Sequence, residues 1–165
     1  MSDTFTALAL KIEETPLSLA MAESAWLFPT VESLHVIGLT LVVGSIAIVD
    51  LRLLGLASRS RAPQELFRAA LPVTWGAFLV AAITGLLLFA AKPTSYLGNP
   101  FFLAKIALLA LAGLNMAAFH RVLEPQLAGA PGGPAASVGV RVAAGTSLAL
   151  WTAIVVCGRW IGFSI

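Results

Sequence analysis

Charged residues are scarce in this sequence: lysine, arginine, aspartate and glutamate together make up 11% of its 165 residues. A soluble globular domain carries about 25% charged residues. Hydrophobic residues reach 59%, and a chain of this size has too much surface for its volume to bury so many of them. The composition therefore excludes an ordinary water-soluble domain and favours a protein that lies in a lipid bilayer.

Cysteine and histidine are also rare, with one cysteine and two histidines in the whole chain. A single cysteine excludes an internal disulfide. The sequence contains no Walker motif, no HExxH, no CxxC and no dinucleotide-binding glycine fingerprint. Its cations are scattered rather than clustered, which argues against nucleic acid as a partner. Whether the protein is an enzyme stays open, and a redox or electron-transfer role is favoured over hydrolytic or transferase chemistry.

Four apolar stretches are long enough to cross a bilayer, which takes about 20 residues of helix. Short connections rich in proline, glycine and polar residues separate them, and such connections make successive helices antiparallel neighbours. We therefore predict an all-α membrane protein, an up-down-up-down bundle of four transmembrane helices. The predicted helices cover residues 30–56, 66–91, 100–124 and 138–163, within a transmembrane domain of residues 29–165.

The segment of residues 1–28 has a different pattern, because charges interrupt its apolar positions. Thr15-Pro16 divides it into two short pieces. We predict amphipathic helices that lie in the membrane interface, with Trp26 and Phe28 near the headgroups.

The distribution of cations predicts the orientation of the helices in the membrane. Lysine and arginine are enriched on the cytoplasmic side of membrane proteins. One side of the predicted bundle carries six of these residues, namely Arg52, Arg59, Arg61, Arg68, Arg121 and Arg141. We expect this side to face the cytoplasm of a bacterial inner membrane, with both termini outside the cytoplasm.

Both histidines lie in predicted membrane helices, where an ionisable side chain is costly and therefore a candidate for function. Neutral imidazole ligates haem iron, copper or zinc. His35 lies near the start of the first helix and His120 near the end of the third, which runs in the same direction. Their depths differ by roughly 20 Å. The two histidines are therefore not expected to ligate one haem together, and they could serve two separate sites.

Two cations accompany His35 at a similar predicted depth, Lys105 and Arg159. A histidine beside two cations suits a haem, whose propionates need positive partners at the interface. The same cations would suit an anionic substrate or a lipid headgroup. In the alternative without a ligand, Lys105 and Arg159 extend to the interface and His35 donates a hydrogen bond to a carbonyl. Further polar residues at this depth are Glu32, Tyr96 and Asn99.

The second histidine, His120, lies beside Arg121 and one turn after Met116. A histidine and methionine environment suits haem or copper in principle. Asp50 and Arg52 are expected at the same depth on the first helix. Two other residues have plainer predicted roles: Asn115 is expected to form an interhelical hydrogen bond, and Trp160 to belong to an interfacial aromatic belt.

Several separated segments carry a resemblance to a known family. They are ESLHVIGLTLVVGSIAIVDLRLLGL, LPVTWGAFLVAAITGLLLF, YLGNPFFLAKIALLALAGLNMAAFH and GRWIGF. Together they resemble a family of small bacterial four-span membrane proteins of unknown function, over nearly all of the chain from Trp26 onward. The chain is more weakly similar to copper-resistance D-type membrane domains, which also place a histidine early in a helix. The residues that the resemblance marks are Glu32, His35, Asp50, Arg52, Tyr96, Asn99, Lys105, Asn115, His120, Arg159 and Trp160.

The leading hypothesis is a b-type haem protein that transfers electrons, with quinone as a candidate partner. His35 is the predicted ligand, Lys105 and Arg159 contact the propionates, and His120 is the candidate ligand of a second haem. The second axial ligands would come from another subunit, or the iron would be five-coordinate. The alternatives are a small oligomeric transporter or channel for a metal ion or small solute, and a non-catalytic accessory subunit of a membrane complex. A homo-oligomer is expected for a bundle of this size.

Overall fold

The computed structural model describes residues 3–57, 63–123 and 137–164. Its helices are α1 (Asp3–Glu13), α2 (Pro16–Glu23), α3 (Leu27–Leu53), α4 (Pro63–Ala91), α5 (Pro93–Leu97), α6 (Pro100–Ala118) and α7 (Val138–Ser164). A π-helical turn, Phe119–Leu123, follows α6 directly. These residues contain no strand. The predicted all-α fold is therefore confirmed, while Arg59, Arg61 and the glycine-rich connection at 127–134 lie outside the described residues.

The helices α3, α4, α6 and α7 are long and apolar enough to cross a membrane. Their outward surfaces are apolar: Leu79, Leu86 and Leu114 are 61%, 69% and 67% exposed. So large an apolar surface is not stable in water. The chain is a multi-pass membrane protein, and its apolar helices belong in a lipid bilayer.

The helix boundaries differ from the predicted ones by a few residues. Helix α3 begins at Leu27, so that Pro29 lies in its first turn, where a missing N–H leaves no hydrogen bond unmade. It ends at Leu53 rather than at residue 56, because Gly55 takes a φ of 76°, the left-handed conformation that commonly ends helices. The connection after α4 contains the short helix α5, which the sequence pattern did not predict.

The helices pack as two pairs. Helix α3 lies along α4, and α6 lies along α7, while α7 also contacts α3. Small residues bring α3 and α4 close together: a Cβ added to Gly38 would lie 3.3 Å from the Cβ of Ala81. About two turns further along, the hydroxyls of Ser45 and Thr74 are 2.7 Å apart. Helices α4 and α6, by contrast, hardly touch.

Two aromatic stacks connect α4 to the other helix pair. Near α5, the ring of Phe89 stacks on Phe102 with centroids 5.5 Å apart. Near the π-helical turn, Phe67 stacks on Phe119 at 5.4 Å. We call the two extremities of the bundle the α5 end and the π end. Between these stacks, the α4–α6 side of the bundle remains loosely packed.

The N-terminal helices cover the α5 end. Helix α2 packs on α4, and α1 packs on α5. The hydroxyl of Ser18 donates a 2.7 Å hydrogen bond to the carbonyl of Ala90, and Met21 is buried beside it in the core. The Glu13 carboxylate accepts hydrogen bonds from both the backbone N–H and the hydroxyl of Thr94. Residues before α3 are thus two short helices attached to the bundle by specific polar contacts.

Candidate functional sites

His35 projects from α3 onto α4, in the half of the bundle next to the α5 end. Its Nδ1 lies 2.9 Å from the carbonyl oxygen of Ala81 and 3.1 Å from the hydroxyl of Thr84. A carbonyl oxygen can only accept, so Nδ1 carries the proton and donates. In the neutral imidazole the proton is then absent from Nε2, which keeps its lone pair.

Gly85 provides the space in which the His35 ring lies. A Cβ on Gly85 would lie 3.0 Å from the ring carbon Cε1, tighter than most real Cβ contacts. Thr84 is oriented in turn, because its hydroxyl donates a 2.7 Å hydrogen bond to the carbonyl of Val80. Three neighbouring positions of α4 therefore hold one imidazole ring in place.

Lys105 of α6 belongs to the same region. Its ammonium interacts electrostatically with His35 and with Cys157 of α7. Gly158 lets it lie close to the α7 backbone, since a Cβ there would be 3.5 Å from the Lys105 Nζ. The structure thus brings together two of the predicted site residues, His35 and Lys105, at the point where three helices meet.

Tyr96 of α5 lies against the aromatic stack at this end, with ring centroids 5.3 Å from Phe102 and 6.1 Å from Phe89. Burial raises the pKa of the Tyr96 phenol above its ordinary value, and the nearby charge of Glu32 raises it further. Tyr96 is therefore a neutral phenol at physiological pH.

Three other residues of the predicted haem site have local contacts of their own. Asn99 caps α6: its Oδ1 accepts hydrogen bonds from the N–H groups of Phe101 and Phe102, at 2.9 and 3.3 Å. Its buried Nδ2 has no hydrogen-bond partner among the described residues. The Arg159 guanidinium lies over the ring of Phe163, 4.6 Å from its centroid, and Trp160 stacks on Phe101.

His120 lies at the π end, in the π-helical turn that continues α6. Its ring meets Phe119 and Phe67 edge-on, with centroids 5.7 and 6.4 Å away. Helices α3 and α6 start at the same end, His35 is in the third turn of α3, and His120 lies beyond the last residue of α6. The two histidines accordingly occupy different halves of the bundle.

Polar residues of the first, third and fourth membrane helices meet near the π end. Asp50 is 6% exposed and accepts a hydrogen bond from the Ser147 hydroxyl. Its Oδ2 has no hydrogen-bond partner in the described part of the chain. Asn115 donates from Nδ2 to the carbonyl of Ala143, at 3.1 Å, and so links α6 to α7. Arg52 lies in the last turn of α3.

A cavity of about 220 Å³ lies among the four membrane helices in this half of the bundle. Polar residues and aromatic rings share its lining; they include Ser45, Asp50, Thr74, Asn115, His120, Ser147, Phe67, Trp75 and Trp151. The cavity follows from the loose packing of α4 against α6.

The sequence pattern did not identify the direct partners of His35 and Asp50. Thr84 and Ser147 are polar residues in apolar helices, which is a usable signal, but their spacing does not indicate which helix they face. The carbonyl of Ala81 carries no side-chain signal. Gly85 adjoins Thr84, and a glycine next to a polar residue in a membrane helix is a feature that could have suggested a close contact.

Comparison with protein-family models identifies the family of this chain. A family model described as a family of unknown function, DUF6644, matches residues 25–164. The chain belongs to the DUF6644 family. No curated protein and no solved structure matches it.

The DUF6644 match contains all four membrane helices, and therefore both the His35 contact and the Asp50 cavity. Helices α1 and α2 precede it. Within the described residues of this DUF6644 protein, no group of three or more histidine, cysteine, aspartate or glutamate side chains is arranged to hold a metal ion.

Proposed function

We propose that this protein binds a b-type haem through His35 and transfers electrons in a bacterial inner membrane. The observation that carries the proposal is the hydrogen bond from His35 Nδ1 to the Ala81 carbonyl. Metal-ligating histidines almost always donate their second ring N–H to a carbonyl or carboxylate, which fixes the ring and raises the basicity of the ligating nitrogen. His35 Nε2 is then the ligand nitrogen.

The scarcity of ligands favours haem over a free metal ion. A porphyrin brings four nitrogen ligands, so one histidine suffices to hold it, as in five-coordinate haem proteins. Copper, the alternative metal, would need a set of protein ligands that the described residues do not assemble. A second axial ligand, if present, would come from another copy of the chain in a homo-oligomer.

Charge near His35 supports the same assignment. Lys105 interacts with His35 through space, and its ammonium would pair with a propionate of the proposed haem. Arg159, Tyr96 and the Nδ2 of Asn99, which has no hydrogen-bond partner among the described residues, are the further candidates for polar contact with the haem edge. His120 is the candidate ligand of a second haem at the π end, and two haems in different halves of the membrane would suit electron transfer across it, with quinone as partner.

The described arginines near the π end, Arg52, Arg68, Arg121 and Arg141, favour an orientation with that end in the cytoplasm and both termini outside it. Cysteine scanning with a membrane-impermeant thiol reagent would test this orientation. A cysteine introduced before α3 should react in intact spheroplasts.

The haem proposal is tested by the absorbance spectrum and iron content of the protein, expressed with a haem supply and purified in detergent. We expect a Soret band in the wild-type protein. His35→Gly should lack the haem that His35 holds. Added imidazole should restore that band in His35→Gly, because it can occupy the space of the lost ring and supply the same nitrogen. His120→Ala is the matched comparison: it should keep the haem that His35 holds and lose only a second haem held by His120.

A protein without a Soret band and without iron would refute the proposal. Bound copper without haem would point to the copper alternative. Loss of solute flux in His35→Ala without any coloured cofactor would point to a transporter, and a stoichiometric partner in a pull-down to an accessory subunit.

A further inference from the structure

The cavity near the π end contains a carboxylate that is not fully satisfied. Asp50 is more than nine-tenths buried, at 6% exposure, and it lines the cavity. Ser147 donates to the carboxylate, but Oδ2 accepts no hydrogen bond from the described residues. A buried charge without a partner is strongly unfavourable. The free oxygen therefore favours a ligand that donates a hydrogen bond.

The neighbouring polar oxygens are acceptors as well. The Ser45 hydroxyl can donate to the Val42 carbonyl, the Thr74 hydroxyl can donate to the Ala70 carbonyl, and the two hydroxyls also lie within hydrogen-bond distance of each other. Both hydroxyl protons therefore have acceptors within the protein. Asn115, which also lines the cavity, donates from Nδ2 to the Ala143 carbonyl, and its amide oxygen is an acceptor. Hydroxyl and amide oxygens can accept further bonds after their protons are committed. The cavity thus presents several acceptors to a donor-rich ligand.

The walls and the size of the cavity restrict the ligand further. Aromatic side chains line it, among them Phe67, Trp75, Phe78 and Trp151. The faces of such rings attract cations. A cavity of about 150 Å³ holds a benzene ring, so the 220 Å³ here accommodates one ring with a short substituent. Neither lysine nor arginine is among the lining residues of the described chain, and His120 is the other titratable group there.

We propose that the cavity binds a monocyclic organic cation, a single ring that carries a protonated amine, with the ammonium donating to Asp50 Oδ2. An ammonium offers three N–H donors and a positive charge, which match the acceptors and the carboxylate. The loosely packed α4–α6 side gives such an amphiphile a route from the lipid. This site does not involve His35 and goes beyond the haem proposal.

The test compares two probes of nearly the same shape, benzylamine and benzyl alcohol. Binding to the full-length protein in detergent is measured at neutral pH by isothermal titration calorimetry, with quenching of tryptophan fluorescence as a second readout, since Trp75 and Trp151 line the cavity. We expect benzylamine to bind saturably and at least ~10-fold more tightly than benzyl alcohol, because a charged hydrogen bond contributes more than a neutral one.

Asp50→Asn removes the charge with little change of shape. It should weaken benzylamine binding by at least ~10-fold and change benzyl alcohol binding little. Glu65→Gln is the matched control, because Glu65 loses the same charge on an exposed part of α4 outside the cavity lining. His35→Ala should keep its benzylamine affinity whether or not haem is bound.

Equal binding of the alcohol and the amine by the wild-type protein would overturn the proposal, and this comparison holds even if Asp50→Asn does not fold. An unchanged benzylamine affinity in a folded Asp50→Asn protein would overturn it too.

Discussion

Gly85→Ala tests whether His35 is held against α4 as the structure shows. The new Cβ would lie 3.0 Å from Cε1 of His35, whereas ordinary contacts begin at 3.4 Å, so the ring must retreat by about 0.4 Å. Its hydrogen-bond partners, Ala81 and Thr84, lie on the same helix as Gly85. A ring that moves away from Gly85 therefore moves away from both partners.

The retreat has a calculable effect on stability. The Nδ1–carbonyl distance of 2.9 Å would grow to about 3.3 Å, beyond the usual 2.7–3.2 Å range of such bonds. Loss of this bond costs about 1 kcal/mol. Gly76→Ala on the same helix is the matched control, because a Cβ at Gly76 meets nothing within 4 Å. That control should gain up to about 1 kcal/mol from helix propensity alone.

Gly85→Ala gains the same helix propensity, so the two variants should differ by about 1 kcal/mol in the free energy of unfolding, the contribution of the lost hydrogen bond. For a chain of this length the melting temperatures would differ by roughly 2–4 °C. Thermal unfolding of the haem-free proteins in one detergent, followed by circular dichroism, measures this difference. A melting temperature of Gly85→Ala equal to or above that of Gly76→Ala would refute the packing of His35 on α4. It would also refute the fixed orientation of the proposed ligand.

Three further predictions concern the α5 end. Asn99→Ala should lower the free energy of unfolding by about 1 kcal/mol, because α6 loses its N-cap. Thermal unfolding in detergent measures this change, and an unchanged melting temperature would show that the cap is dispensable. Glu13→Ala removes the carboxylate that binds Thr94, so limited proteolysis should cut between α1 and α2 faster than in the wild type, and equal rates would contradict that docking. Tyr96, the single tyrosine, should titrate above pH ~10 in an ultraviolet absorbance titration, because burial raises its pKa. Its stabilising contribution is complete below pH ~10 and is lost as the pH rises through the folded-state pKa. Glu32→Gln should lower the midpoint, and an unshifted midpoint in the wild type would contradict the burial of the phenol.

The fold could be predicted because its strongest determinant, the length of each apolar run, can be read directly from the sequence. A run of about 20 apolar residues specifies a membrane helix whatever surrounds it, and four such runs are present. The ends of the helices depend on local backbone conformation instead. Gly55, with its positive φ, ends α3 earlier than hydrophobicity alone indicates. Helix α5 was missed because a helix of five residues, which begins at Pro93, is too short to carry a periodic signal.

The partners of the candidate site residues could not be predicted, because they depend on which helix faces meet. His35 contacts a backbone carbonyl on α4, and a carbonyl is present at every residue of the sequence. The cavity beside Asp50 exists because α4 and α6 are held apart in mid-bundle, which is a property of the packing of all four helices. The ionisable residues themselves were identifiable, since their cost in lipid marks them for function.

The two proposed sites differ in the rigidity of their surroundings, and the difference agrees with the role proposed for each. His35 lies within the tightly packed α3–α4 pair, where Gly38 and Ala81 bring the backbones together. A metal ligand has to keep one orientation, and a close helix pair with a hydrogen-bonded ring maintains it. Asp50 lines the cavity among the four membrane helices, where a ligand can bind without separating α3 from α4. Because the two sites share few contacts, substitutions at one should leave the other intact, and the effects of Gly85→Ala and Asp50→Asn on stability should be additive to within about 0.5 kcal/mol in the double variant.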